Sequence, residues 1–305
     1  MNTVIWRMHD GKPGHANQTR GLVNALSDIL PVQCHDLLAP ARTQSLKWWF
    51  AKQFPPGKTL PRPQLILGAG HSTHLAMLAA RRCYGGKAIV LMKPSLPPRL
   101  FDLCIVPEHD GLAAAPHVVL SRGVLNLVSP SFMKEAGRGL LLVGGPSAAH
   151  GWNSLAIVEQ ITTIVTDQPK FTWKLTTSRR TPPDFLGLLR THQLANLTIV
   201  PHEETDPDWV PSELSRSSQV WVSEDSVSMV YEALTSGASV GLLEVPQKQV
   251  GRVARGVQEL RAQGWVTRFS DWDRSRSLPA PAHPLHEANR CAALICERFQ
   301  LADAA

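Results

Sequence analysis

Along the chain, short uninterrupted apolar runs alternate with longer stretches whose apolar positions recur every three or four residues. Uninterrupted runs suit strands buried on both faces, the longer period suits amphipathic helices packed against them, and their alternation is the pattern of βαβ units on a parallel sheet. In the first half this predicts strands at TVIWRM, VQCHDL, QLILGAG, KAIVLMKP and FDLCIVPEHD, with HVVLSRGVLN at an edge. Helices are expected from Asn17 to Leu30, after the loop DGKPGHANQ, and over HSTHLAMLAARRCY, with Ser72 or Thr73 as cap. VSPSFMKEAGRG reads as a linker. The second series predicts strands at GLLLVGGPS, FTWKLTTSRR, LTIVPHE, QVWVSED and ASVGLLEVP. Its helices are WNSLAIVEQITTIVTDQ, PPDFLGLLRTHQL, SVSMVYEALTSG, GRVARGVQELRAQG and one from about His286 to Leu301. At 305 residues a single core stops growing, so two α/β domains are expected, 1–135 and 136–305.

Composition removes several classes. With 43% hydrophobic and 18% charged residues, the chain is neither disordered, collagen-like nor a coiled coil. No apolar run approaches the roughly 18 residues of a membrane span, and MNTVIWRMHDGKPG lacks the features of a signal peptide. Five cysteines without a CxxC pair, mostly in apolar runs, read as buried free thiols in a reducing compartment, so a cytoplasmic location is expected. Charge is uneven: 15 basic against 7 acidic residues up to Glu135, and 16 against 18 after it. The first half is therefore the side that would meet an anion.

Candidate chemistry gathers in loops that follow apolar strands, where open α/β sheets bind ligands. In the loop from Asp10 to Gln18, Gly14 permits close backbone approach, and Asp10 and His15 offer a carboxylate and an imidazole able to remove a proton. A tight βα turn with a polar cap is the plainer reading. Gly70 and His71 repeat the motif, but His71 and His74 lack a third ligand at metal spacing, and no metal is expected. Lys93 ends a strand as a possible anion contact. Gly144, Gly145 and Ser147 open a helix whose free amides suit a phosphate; neither GxxxxGK[ST] nor GxGxxG occurs, which argues against nucleotide triphosphate hydrolysis and a dinucleotide site. Arg179 and Arg180 are a forked-donor pair for a diphosphate or a solvated turn. Ser223, Glu224, Asp225, Ser226 and Ser228 lie at a helix start with Glu232 inside it, either an anion and ribose site or a capping box.

Taken in order, DGKPGHANQ, GAGHSTH, MKPSLPP, FDLCIVPEHD, GGPS, TSRRTP and SEDSVSMVYEA resemble the mitochondrial fission factor family of the elongated-mitochondria type and, more distantly, glycosyltransferases with two Rossmann-like domains in the GT-B arrangement. The resemblance implies α/β architecture with a C-terminal helix crossing back to the N-domain. It also implies a nucleotide-sugar donor in the C-domain, with diphosphate near Gly145, Ser147, Arg179 and Ser226 to Ser228 and ribose at Glu232. The acceptor, a cell-envelope glycan or lipid-linked saccharide, would lie against the N-domain with Asp10 or His15 as base. No DxD is evident, so neither metal nor cofactor is implied, and no nucleic-acid partner. A non-enzymatic scaffold that keeps the fold and recruits a protein is the alternative; a nucleotide-sugar epimerase is a third reading, opposed by the lack of GxGxxG with YxxxK.

Residues 42–62 carry one further signal. If SLKWWFAKQF is helical, Leu46, Trp49, Phe50 and Phe54 share a face flanked by Lys47 and Lys52, with Arg42, Lys58 and Arg62 nearby. Such a face suits the cytoplasmic surface of the inner membrane, or else is packed in the core.

Overall fold

The apolar runs form two parallel sheets, seen in a computed structural model that describes residues 2–131, 133–248, 252–281 and 285–301. The first half builds β1 (Thr3–His9), α1 (Pro13–Ser27), β2 (Val32–Leu38), α2 (Arg42–Ala51), β3 (Leu65–Ala69), α3 (His74–Tyr84), β4 (Lys87–Leu91), β5 (Leu103–Pro107) and β6 (Val118–Ser121). The second builds β7 (Glu135–Leu142), α4 (Ser154–Asp167), β8 (Thr172–Thr176), α5 (Asp184–Arg190), β9 (Leu197–Val200), α6 (Trp209–Arg216), β10 (Ser217–Ser223), α7 (Val227–Thr235), β11 (Ser239–Leu243), α8 (Arg252–Ala262), β12 (Thr267–Arg268) and finally α9 (Glu287–Phe299). Contacts divide the chain into one unit of residues 1–127 with 287–305 and another of 128–286. Each is a Rossmann-like α/β layer structure.

The first unit orders its strands β2-β1-β3-β4-β5-β6. On one face Ile5, Leu67 and Ile89 pack under Leu22 and Leu26 of α1 and Ile295 of α9; on the other, Trp6, Ile66 and Val90 pack under Met77 of α3. The last helix thus returns to the first unit, as the resemblance implied. Its buried stripe of Cys291, Ala292 and Ile295 completes that core, and Glu287 accepts the Arg122 N–H at 2.9 Å. The second unit has the order β12-β11-β10-β7-β8-β9, with Ile157, Ile161 and Val165 of α4 covering Leu141, Trp173 and Leu175.

Four expectations are corrected. Helix α1 starts at Pro13, not Asn17, because proline is preorganised for a first turn, so His15 is helical rather than in a loop. The segment read as a linker contains the start of β7, whose Glu135 pairs in register with Ser217 and whose Arg138 reaches Glu213 at 2.7 Å. Cys34 is exposed, since β2 is an edge strand, and Cys83 is half-buried in the last turn of α3. Phe54 lies beyond α2 and is 2% exposed in the core, which narrows the outer apolar face of α2 to Leu46 and Phe50. Helix α6 was not legible in the pattern. Among the described residues no helix is long and apolar enough to cross a membrane.

Candidate functional site

Each sheet has one point where the chain reverses its direction of strand addition, and crevices at the carboxyl ends of strands open there. In the first unit that point lies between β1 and β3, in the second between β7 and β10. The loops after these four strands carry most of the residues selected from the sequence.

At the first switch point Asp10 follows β1 and His15 sits in the first turn of α1. The His15 Nδ1–H donates to both Asp10 oxygens, at 3.1 and 3.0 Å, while Asp10 also accepts the Lys12 N–H at 3.2 Å and the Ser72 hydroxyl at 3.0 Å. Burial pushes the Asp10 carboxyl up, but the bonds from His15, the Lys12 backbone and Ser72 outweigh it and hold it below the ordinary range. The carboxylate assigns the imidazole tautomer: the proton stays on Nδ1, and Nε2 is left as an acceptor. Gly70 makes the pair possible. Its φ is +85°, and a Cβ there would lie 2.4 Å from His15 Nδ1 and 3.1 Å from Asp10 Oδ2.

Other N-terminal candidates are placed differently. Nothing lies within 4 Å of where a Gly14 Cβ would stand, so packing does not require that glycine. Neither Ser72 nor Thr73 caps α3: Ser72 serves Asp10, and the Thr73 hydroxyl turns back to the Gly70 carbonyl at 2.8 Å. His71 is exposed ahead of the helix, whereas His74 is buried beside Ser95 at 3.2 Å, with burial lowering its pKa to about 4, so the two do not share a helix face. Lys93 is exposed and donates to the Asp110 carbonyl at 3.3 Å. Arg7 was missed: it is buried in β1, pairs with Asp36 and donates to the Ala16 carbonyl at 3.1 Å, fixing the start of α1. Its sequence signal is a lone cation inside an apolar strand, where a charge must find a partner.

At the second switch point the glycine amides are not free. Gly144 N–H donates to Ser223 Oγ at 2.7 Å and Gly145 N–H to Asp225 Oδ2 at 3.0 Å, so the expected phosphate cradle is closed by its own neighbours. The Asp225 side chain is fully buried and takes Arg180 Nη2 at 2.7 Å, while Arg180 Nη1 donates to the Gly145 carbonyl at 2.7 Å. Ser147 is occupied too, accepting the His150 N–H at 3.1 Å in a turn. Asp225→Ala is therefore expected to cost about 1–3 kcal/mol by orphaning the buried Gly145 N–H, because Arg180 can turn to water. Urea denaturation reads this directly, and an unchanged midpoint would remove Asp225 from the role of lock.

What stays open at this point is different. Arg179 is exposed and, among the described residues, has no ion-pair partner. Ser226 is at the N-cap of α7 yet makes no side-chain cap, so the capping-box reading fails; Ser228 is exposed in the first turn. Glu232 is partly buried on α7, its carboxylate meets no hydrogen-bond or ion-pair partner among the described residues, and burial pushes its pKa up to about 7. Asp225 Oδ1 is likewise buried without a partner. Glu224 borders a cavity of about 230 Å³ with His150, Gln247 and Arg268; burial raises its carboxyl, and Arg268 at 2.9 Å partly offsets this.

A family model described as mitochondrial fission ELM1 matches residues 13–299. The chain belongs to the mitochondrial fission ELM1 family. No curated protein sequence matches this ELM1-family chain significantly. Among solved structures, a UDP-N-acetylglucosamine 2-epimerase aligns with TM-score 0.59 at 12% identity over 99% of this chain and 98% of that one. The UDP-GlcNAc 2-epimerase from Neisseria meningitidis, solved bound to UDP-GlcNAc, aligns with TM-score 0.53 at 11% identity over 98% and 100%. MurG from Acinetobacter baumannii aligns with TM-score 0.50 at 13% identity over 98% and 92%. At these identities the likeness is one of fold: the ELM1-family chain has two Rossmann-like domains of the GT-B type.

Proposed function

We propose that the protein is a nucleotide-sugar-dependent glycosyltransferase acting on a cell-envelope glycan or lipid-linked acceptor. The observation that carries this reading is Glu232, a partly buried carboxylate without a partner among the described residues, on the same helix as an uncapped N-terminus. A group so placed costs stability and holds nothing in the fold, whereas ribose hydroxyls would satisfy it. A pure scaffold has no use for it.

In the reaction, His15 Nε2 takes the proton of an acceptor hydroxyl held against the first unit, and Asp10 stabilises the imidazolium. The hydroxyl oxygen bonds to the anomeric carbon as the bond from that carbon to the diphosphate breaks, and the nucleoside diphosphate leaves with the electron pair. The uncapped amides of α7 and the Arg179 guanidinium meet the charge that develops on the diphosphate. Glu224, on the wall of the cavity, offers an acceptor for a sugar hydroxyl. Because 2-epimerases share the fold, missing dinucleotide motifs do not separate transfer from epimerisation; the Asp10–His15 pair in the first unit favours transfer.

Calorimetry of the full chain with UDP, GDP, ADP and CMP tests the reading. One nucleotide is expected to bind and to be displaced by its sugar conjugate. Binding of none of them would overturn the proposal and leave the scaffold alternative.

A further inference from the structure

Between Asp36 and Asp102 the chain contains no Asp or Glu and ten Lys or Arg. The fold gathers much of this stretch on one side of the first sheet, where α2 packs on α3. Asp102 accounts for Arg81 at 2.9 Å and Lys87 at 3.7 Å. Arg42, Lys47, Lys52, Lys58, Arg62 and Arg82 are exposed, and among the described residues none of the six forms an ion pair. Arg82 instead lies over the Trp49 ring at 4.7 Å, and Trp48 packs edge-on against buried Phe54 at 5.5 Å. The inner side of α2 is thereby spent on the core.

Its outer side is not. Leu46 is 43% and Phe50 69% exposed, one turn apart on the same face, with Lys47 and Lys52 beside them. A polyanion such as RNA rewards the lysines and can stack a base on Phe50, but it gains nothing from the exposed Leu46 on the same face. An anionic bilayer rewards all of them, the apolar side chains entering the acyl boundary while the cations stay among headgroups. We infer that the α2–α3 face docks on an anionic lipid surface. The lead-in to α2 is tied to β1 where Ala39 N–H donates to the His9 carbonyl at 2.8 Å, one residue before Asp10, so the start of α2 lies next to the loop that bears the Asp10–His15 pair. Docking does not rest on the transferase reading, and its test needs neither donor nor acceptor.

Co-sedimentation of the full chain with phosphatidylcholine vesicles, with and without phosphatidylglycerol, reads the inference. Association is expected only with the anionic vesicles and is expected to weaken at high salt. The double change Leu46→Ser and Phe50→Ser should lower partitioning about tenfold or more while the protein still melts cooperatively, because neither side chain belongs to the buried core. Lys47→Glu with Lys52→Glu should lower it about tenfold or more as well, since reversal replaces two attractions to the anionic headgroups with two repulsions. No association of the wild type at low salt overturns the inference. So does vesicle binding that survives the Leu46 and Phe50 changes, or an RNA oligomer bound more tightly than the vesicles.

Discussion

Replacing His15 with Ala is expected to lower turnover about 10²- to 10⁴-fold, the usual cost of removing a general base. Nucleotide affinity should not change, because the groups assigned to the nucleotide belong to the other unit. Asp10→Asn should lower turnover by a similar order: the amide keeps the shape but not the charge that holds Nδ1 protonated and stabilises the imidazolium. The two variants should differ in stability. Asp10 has a depressed carboxyl in the folded protein, so it contributes stability above its unfolded pKa of about 4 and loses it as pH falls through the folded value. Asp10→Asn should thus melt below the wild type at pH 7, and the gap should close in acid. Unchanged turnover in both variants would take the base away from this pair.

Glu232→Gln is expected to do two opposite things. The folded-state pKa is raised from its ordinary 4.5 to about 7, so ionisation of this group works against the fold. No penalty exists below the unfolded value; it grows as pH rises between the two and is complete above the folded one, at roughly 3 kcal/mol. Replacement by the neutral amide should therefore raise the melting temperature by several degrees at pH 8 and leave it unchanged near pH 4.5. Nucleotide affinity should fall about ten- to a hundredfold, since a hydrogen bond to a charged partner is worth about 1.5–3 kcal/mol. Ribose hydroxyls favour the ionised carboxylate, so nucleotide binding near neutral pH should release a proton, visible as a buffer-dependent heat. A variant neither more stable at pH 8 nor weaker in binding would make Glu232 an incidental side chain.

The sequence by itself determined the strand and helix alternation, because a strand buried on both faces must be apolar throughout and a helix packed on one side must repeat its apolar positions every turn. That was enough for β3, β5, β10 and β11, each almost wholly buried, and for the loops in which to seek chemistry. Asp10 and His15 were legible as a pair because they lie five positions apart across one turn. Their partners were not: Ser72 reaches Asp10 from 62 positions away, and the Gly70 that lets His15 close in does so only because β3 lies beside β1. The glycines of the second unit misled for the same reason. A Gly-Gly turn before a helix promises free amides, yet Ser223 and Asp225, some 80 residues later, arrive on β10 and its loop and take them. Conversely, a Ser-rich helix start with a downstream Glu reads as a capping box, and only the packed backbone leaves Ser226 unused and Glu232 alone. Local periodicity records which side of an element is buried. Which polar groups meet, and which are left for a ligand, is set by strand order, a property that no window of sequence contains.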